Sequence, residues 1–446
     1  MNTPICDFVN EYINKNAVRL HMPGHKGKAL LGFEEFDITE ISGADSLYEA
    51  EGIIKESEQN ASKLFGCDTF YSTEGSSHCI RTMLYLSMLY GKEQGKSPKI
   101  LAGRNAHKTF VSAAALLDIN VVWIESDTEN SYLSCNISAE KLETLILKEK
   151  PFAVYLTSPD YLGNMTDIKA LSAVCKKYGV LLLVDNAHGA YLKFLSESLH
   201  PIDLGADLCA DSAHKTLPVL TGGAYLHIGP DMSEALSPMA KNALALFGST
   251  SPSYLILQSM DRANKYIFEE FTESLKSFLP LVNNLKNKLT THGYKLIEQE
   301  TLKITLSTKD YGYKGNDFAE ILTQKGFVCE FSDPDYVVLM LSPALEVKDL
   351  LMLQEALLSI TPLTPIKETP PTAHIPKKAM SVRQASLSPM ETIPVKESEG
   401  RTLAAATVGC PPAVPIIVCG EIIDKRTIAV FEYYNIKDCT VIKTSR

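Results

Sequence analysis

Between residues 60 and 228 short β-rich runs alternate with segments of helical period, and one run, "VLLLVD" (180–185), is apolar at five successive positions. A strand with one wet face alternates apolar and polar residues, so an unbroken apolar run needs cover on both faces. The neighbouring runs "DTFYST", "KILAG", "NVVWI", "FAVYLT", "DLCA" and "GAYLHI" are separated by predicted helices over 76–90, 106–117, 138–148 and 167–178. This is an α/β pattern, a mostly parallel sheet between layers of helices. Right-handed crossovers bring the strand ends to one rim, where ligands of such sheets gather.

The remaining chain divides around this block. Residues 1–60 form an N-terminal segment and 61–270 the large domain. The stretch 253–295 reads as amphipathic helix broken at Pro280. Residues 271–361 give a smaller α+β domain, with strands at "KITLST", "FVCEFS" and "YVVLMLS" and helices near 316–325 and 347–359. Seven prolines in 362–395 predict an extended connector, and 396–446 a C-terminal domain with an ordered Pro-Pro turn.

A formal net charge of -10 excludes the clustered basic surface that nucleic acid or an anionic membrane requires, so a small molecule is the expected partner. No apolar run reaches the ~18 residues of a membrane span, and "MNTPICDFVNEYINK" lacks a signal core, which predicts a cytoplasmic protein. Ten scattered cysteines, without a C-x-x-C pair, predict reduced thiols and no metal centre.

Polar groups follow four of the predicted strands. Asp185 ends "VLLLVD", where a carboxylate needs a cation or several donors, with Ala187 and His188 just beyond. "YSTEGSSHCI" opens a helix behind Gly75, so Ser76, Ser77 and His78 lie on a turn suited to an anion, although an ordinary helix cap uses the same letters. "AGRNAHKTF" places His107 at a third end, and "DSAHKTL" brings Ser212, His214 and Lys215 to a fourth. A phosphate turn, a buried acid, histidines and a positioned lysine converge on the needs of pyridoxal 5'-phosphate. Lys215 would take its aldehyde as a neutral amine. Asp185 would keep the pyridine nitrogen protonated, His107 would lie on the ring, and Ser212 with the Ser76–Ser77 turn would reach the phosphate.

With those residues in view, the chain resembles the Orn/Lys/Arg decarboxylase family in its short form. "HMPGHKG", "FDITEISGADSL" and "EGIIKESEQNASKLFG" match the family's opening in order and spacing. "TEGSS", "RNAHKT", "VDNAHGA" and "DSAHKTLPVLTGGAYLH" match its cofactor segments, and "GCPPAVPIIVCGE" its C-terminal signature. The resemblance implies a fold-type-I, aspartate-aminotransferase-like large domain and a homodimer or dimer of dimers. It also implies Lys215 as the Schiff-base lysine, Asp185 on the pyridine nitrogen, His107 on the ring and His214 as a proton donor. Glu421 then stands near the substrate, where an acid suits a basic side chain. Glu74, His78, Cys410 and Ala413 depart from the family's usual residues. Glu74 should point away from a phosphate.

The resulting expectation is pyridoxal-phosphate-dependent decarboxylation of a basic amino acid, arginine first, then lysine or ornithine. Two alternatives remain. Another activity on the same cofactor, an aminotransferase or β-lyase, would use the same Lys215 and Asp185 and differ in its products. A non-enzymatic regulator retaining the fold would show no turnover.

Overall fold

The computed structural model describes residues 1–127, 131–297, 299–372, 374–405 and 412–444. In chain order they form α1 (Pro4–Asn14), α2 (Ile53–Phe65), β1 (Asp68–Ser72), α3 (Ser76–Glu93), β2 (Lys99–Gly103), α4 (Lys108–Leu116), β3 (Asn120–Ile124), α5 (Ala139–Glu149), β4 (Ala153–Thr157), α6 (Ile168–Lys177), β5 (Leu181–Asp185), β6 (Leu208–Asp211), α7 (Ala213–Thr216), β7 (Ala224–Ile228), α8 (Ser233–Phe247), α9 (Tyr254–Tyr266) and α10 (Thr272–His292). There follow β8 (Leu296–Ile297), β9 (Lys303–Ser307), α11 (Gly315–Gln324), β10 (Phe331–Ser332), β11 (Tyr336–Met340), α12 (Val347–Leu358), α13 (Val382–Ser386), β12 (Met390–Pro394), β13 (Leu403–Ala405), α14 (Lys425–Tyr433) and β14 (Asp438–Ile442). The large sheet has seven strands in the order β1-β7-β6-β5-β4-β2-β3. Every run expected as one of its strands is one.

Two compact units divide the chain: residues 1–97 with 168–274, and residues 98–167 with 275–446. In the first, β5 and β6 are parallel, while β7 runs antiparallel to both β6 and β1. The register sets Ser72 opposite Ala224, Asp211 opposite Tyr225 and Asp185 beside Ala210. The carboxyl ends of β1, β6 and β5 therefore share one rim. All five residues of β5 are buried, as its apolar run requires.

In the second unit β2 pairs in parallel with β3 and β4. A four-stranded antiparallel sheet, β10-β11-β9-β8, and a three-stranded one, β12-β14-β13, complete it. Two expectations are corrected here. Pro280 breaks nothing: it lies inside α10, exposed, while Leu275, Phe278, Val282, Leu285 and Leu289 form a buried stripe. Five such side chains contribute ~1.5–3 kcal/mol each, more than the ~3 kcal/mol of one interior proline. The proline-rich connector is likewise only partly extended. Ser381 and Gln384 close a capping box at the start of α13. Pro389 and Pro394 flank and end an edge strand, β12, where a missing N–H is tolerated. Cys410 and the first proline of the Pro-Pro pair lie outside the described residues. Nine free cysteines are described, and no helix among the described residues is long and apolar enough to cross a membrane.

Candidate active site

The first unit collects most of the candidate residues on its rim. Asp185 is the last residue of β5 and is buried, and its Oδ1 accepts the Ala187 N–H at 3.2 Å. His188, also buried, sets its Nε2 3.1 Å from Lys215 Nζ. Lys215 lies in α7, directly beyond β6, and is half-buried. Ser212 caps that short helix and donates to Ser76 Oγ at 2.8 Å, tying the β6 end to the first turn of α3. Ser76 and Ser77 open α3 behind Gly75, whose φ of 73° and ψ of 174° fall in a region nearly reserved for glycine. The N-cap residue Gly75 brings no side chain to that turn, so the start of the helix and its dipole suit an anion at the rim.

Two of the expected site residues are turned elsewhere. His78 is fully buried; its Nε2–H donates to Leu244 O at 2.7 Å, and Nδ1 lies 2.9 Å from Ser72 Oγ. Its side chain props the turn from behind, and burial lowers its pKa. His214 donates Nδ1–H to Gly223 O at 3.0 Å, which leaves Nε2 as its basic nitrogen, and burial lowers its pKa as well. Glu74 turns to the Ser249 N–H at 2.6 Å.

Beneath the rim lies a network that the sequence reading missed. Asp211 Oδ2 accepts from His200 Nε2 at 3.1 Å and His227 Nε2 at 3.2 Å, and Oδ1 accepts from Asn186 Nδ2 at 2.7 Å and Cys209 Sγ at 3.4 Å. All five residues are completely buried. Burial opposes the Asp211 charge, yet the two imidazoles hold its pKa below the usual carboxylate range, while burial lowers that of His227. His200, Cys209 and Asp211 bring potential metal-ligand atoms within 4.8 Å of one another, but Ile202 N–H points at His200 Nδ1. That leaves Nε2–H as the donor to Asp211, and hydrogen bonds account for the cluster. Asn186 follows Asp185 and Asp211 precedes Ser212, so the network fixes one strand end against the other. The signal available was a polar residue in each of two apolar strands, Asp211 in β6 and His227 in β7.

The second unit holds His107 and Glu421. His107 is the N-cap of α4, its Nδ1 accepting from Thr109 N–H at 3.2 Å. Glu421 is 4% exposed and receives Arg104 on both oxygens, Nη1 at 2.9 Å and Nη2 at 2.6 Å. Its Oε2 also accepts Val418 N–H at 2.8 Å, and the Arg104 guanidinium lies over the Trp123 ring at 5.1 Å.

The seven-stranded, mostly parallel sheet is that of fold-type-I pyridoxal-phosphate enzymes, and here a lysine follows one strand and an aspartate ends its neighbour. Family comparison narrows the class. The Orn/Lys/Arg decarboxylase major domain matches residues 3–305 and the family's C-terminal domain matches residues 366–440. The chain belongs to that family of basic amino-acid decarboxylases. It is 29% identical to an arginine decarboxylase of Bacillus subtilis over 96% of this chain and 92% of that one. An arginine decarboxylase of Halalkalibacterium halodurans gives the same identity and coverage. The fold matches a lysine decarboxylase from Francisella novicida with a TM-score of 0.80, at 17% identity, over 99% of this chain and 81% of that one.

Proposed function

We propose that the protein decarboxylates a basic amino acid, arginine first and lysine or ornithine next, using pyridoxal 5'-phosphate, as a homodimer or dimer of dimers in the cytoplasm. The observation that supports the cofactor is the first unit's rim, where Lys215, Asp185 and the first turn of α3 stand at strand ends on one side of the sheet. Each meets a different part of the molecule. The turn suits the phosphate, the buried Asp185 wants a cation such as a protonated pyridine nitrogen, and Lys215 Nζ is the amine for the aldehyde.

When bound, pyridoxal phosphate supplies an aldehyde for the amine and a protonated ring that accepts the electron pair left as carbon dioxide departs. The chain's own groups do the rest. Asp185, whose Oδ1 accepts the Ala187 N–H, would hold the proton on the ring nitrogen. Ser76, Ser77 and Ser212 would hold the phosphate, and the family resemblance implies His107 for the ring. Lys215 Nζ returns a proton to the substrate carbon, with His188 Nε2 beside it to share that proton. His214 acts as an acid only after Nε2 takes up a proton, which its lowered pKa disfavours at neutral pH.

Arginine is placed first because the more similar relatives carry that name, at 29% identity against 17% for the lysine decarboxylase. The test is purified protein with the cofactor and each of arginine, lysine and ornithine, with carbon dioxide and amine detected. One substrate should release gas with the matching amine, and Lys215→Ala should remove both the visible cofactor band and the gas. Asp185→Asn should keep some cofactor and lose at least about 100-fold in rate. A cofactor band with a keto acid as product would refute decarboxylation, and turnover in Lys215→Ala would refute the site.

A further inference from the structure

The helix that begins at His107 is gripped at both ends by the C-terminal segment. At its start, Lys108 N–H donates to Ala413 O at 2.9 Å, and Arg104, three residues before His107, makes its two-pronged pair with Glu421. At its end, Arg383 of α13 donates Nη1–H to Ala115 O at 3.0 Å and Leu116 O at 2.9 Å. Those are carbonyls of the last turn, where a cation also meets the negative end of the helix dipole. Arg104 and Glu421 are 13% and 4% exposed, so losing either partner strands a buried charge.

We infer that Arg104, Glu421 and Arg383 are positioning residues for His107. They fix where α4 begins and hence where the imidazole stands. The inference rests on the proposed role of His107 at the cofactor ring. It gives Glu421 a task other than reading the substrate, since Arg104 and the Val418 N–H already hold its oxygens. Ala413, one of the departures from the family's usual residues, supplies the carbonyl that anchors Lys108.

The experiment uses the full chain with Glu421→Gln, Arg383→Met and His107→Ala. Three quantities are read: amide exchange over 108–116 without cofactor, visible circular dichroism with pyridoxal phosphate, and kcat and KM for the preferred amino acid. Both clamp variants should speed exchange at least tenfold, weaken the visible dichroism as His107→Ala does, and lower kcat several-fold with KM changed less than threefold. Arg383→Met reaches the same end without touching Glu421, so agreement between the two supports the clamp. A tenfold rise in KM for Glu421→Gln, with exchange and dichroism unchanged, would overturn it and make Glu421 a substrate residue. Faster exchange with unchanged dichroism and kcat would also overturn it. If His107→Ala itself leaves dichroism and turnover intact, the role of His107 fails, and the inference falls with it whatever the exchange data show.

Discussion

Asp211→Asn tests the buried network under the rim. The carboxylate accepts three nitrogen donors, at 3.1, 3.2 and 2.7 Å, from side chains that water does not reach. A hydrogen bond to a charged group contributes about 1.5–3 kcal/mol, against about 1 kcal/mol for a neutral one. The variant keeps one carbonyl oxygen, which best faces the two imidazoles, and turns an NH2 toward Asn186. Asn186 can answer by flipping its amide, because its Oδ1 has no hydrogen-bond partner among the described residues. Three charge-assisted bonds then become neutral ones, a loss of roughly 2–4 kcal/mol. The pH dependence has a definite sign. The folded-state pKa of Asp211 is lowered, so its contribution is present above the unfolded value near 4 and is lost as pH falls through the folded one. The deficit of Asp211→Asn should be full at pH 7 and narrow below about pH 4. Urea unfolding of cofactor-free protein, followed by far-ultraviolet circular dichroism, reads both effects. A variant within about 0.5 kcal/mol of the parent at pH 7 would refute the reasoning.

Other perturbations reach different parts of the structure. Burial raises the pKa of Asp261 to about 6, while Ser57 Oγ–H and the Cys6 and Ile5 amides partly offset that rise. A raised carboxyl favours the folded state most below its unfolded pKa, and that advantage is lost as pH rises through about 6. Asp261→Asn should therefore flatten the decline in unfolding free energy between pH 4 and 7; an unchanged slope would count against it. Gly75→Ala meets no atom within 4 Å yet keeps a φ of 73°, so it should cost about 1–3 kcal/mol and weaken cofactor binding in a titration. Gly189→Ala would put a Cβ 2.0 Å from Asn186 Oδ1, pushing Asn186 off Asp211. Its visible cofactor spectrum should shift, and a parental spectrum would show that the Asn186 contact is dispensable.

The rim was legible because its residues follow strands directly. Lys215, Ser212 and Asp185 each come at or just after an apolar run, and the chain topology alone sends those ends to one side. His200, His227 and Asp211 were not legible as a group, because register across β6 and β7 and the fold of the loop before β6 bring them together. The same limit explains Glu421. Its match to the family's C-terminal Gly-Glu implied an acid near the substrate, and the cation it pairs with lies 317 positions earlier in the chain. Pro280 misled for a local reason: one missing N–H is a small loss beside a five-residue buried stripe, and only the packed structure shows that stripe. The Ser381–Gln384 capping box shows the reverse case, since S-x-x-Q is visible in the letters of a stretch whose prolines alone were read. Chemistry carried by one residue after one strand can be read from sequence. Chemistry that depends on a second residue holding the first, as Asn186 meets Asp211 and Arg104 meets Glu421, needs the fold. Such pairs are where substitutions should act on the site without touching the cofactor.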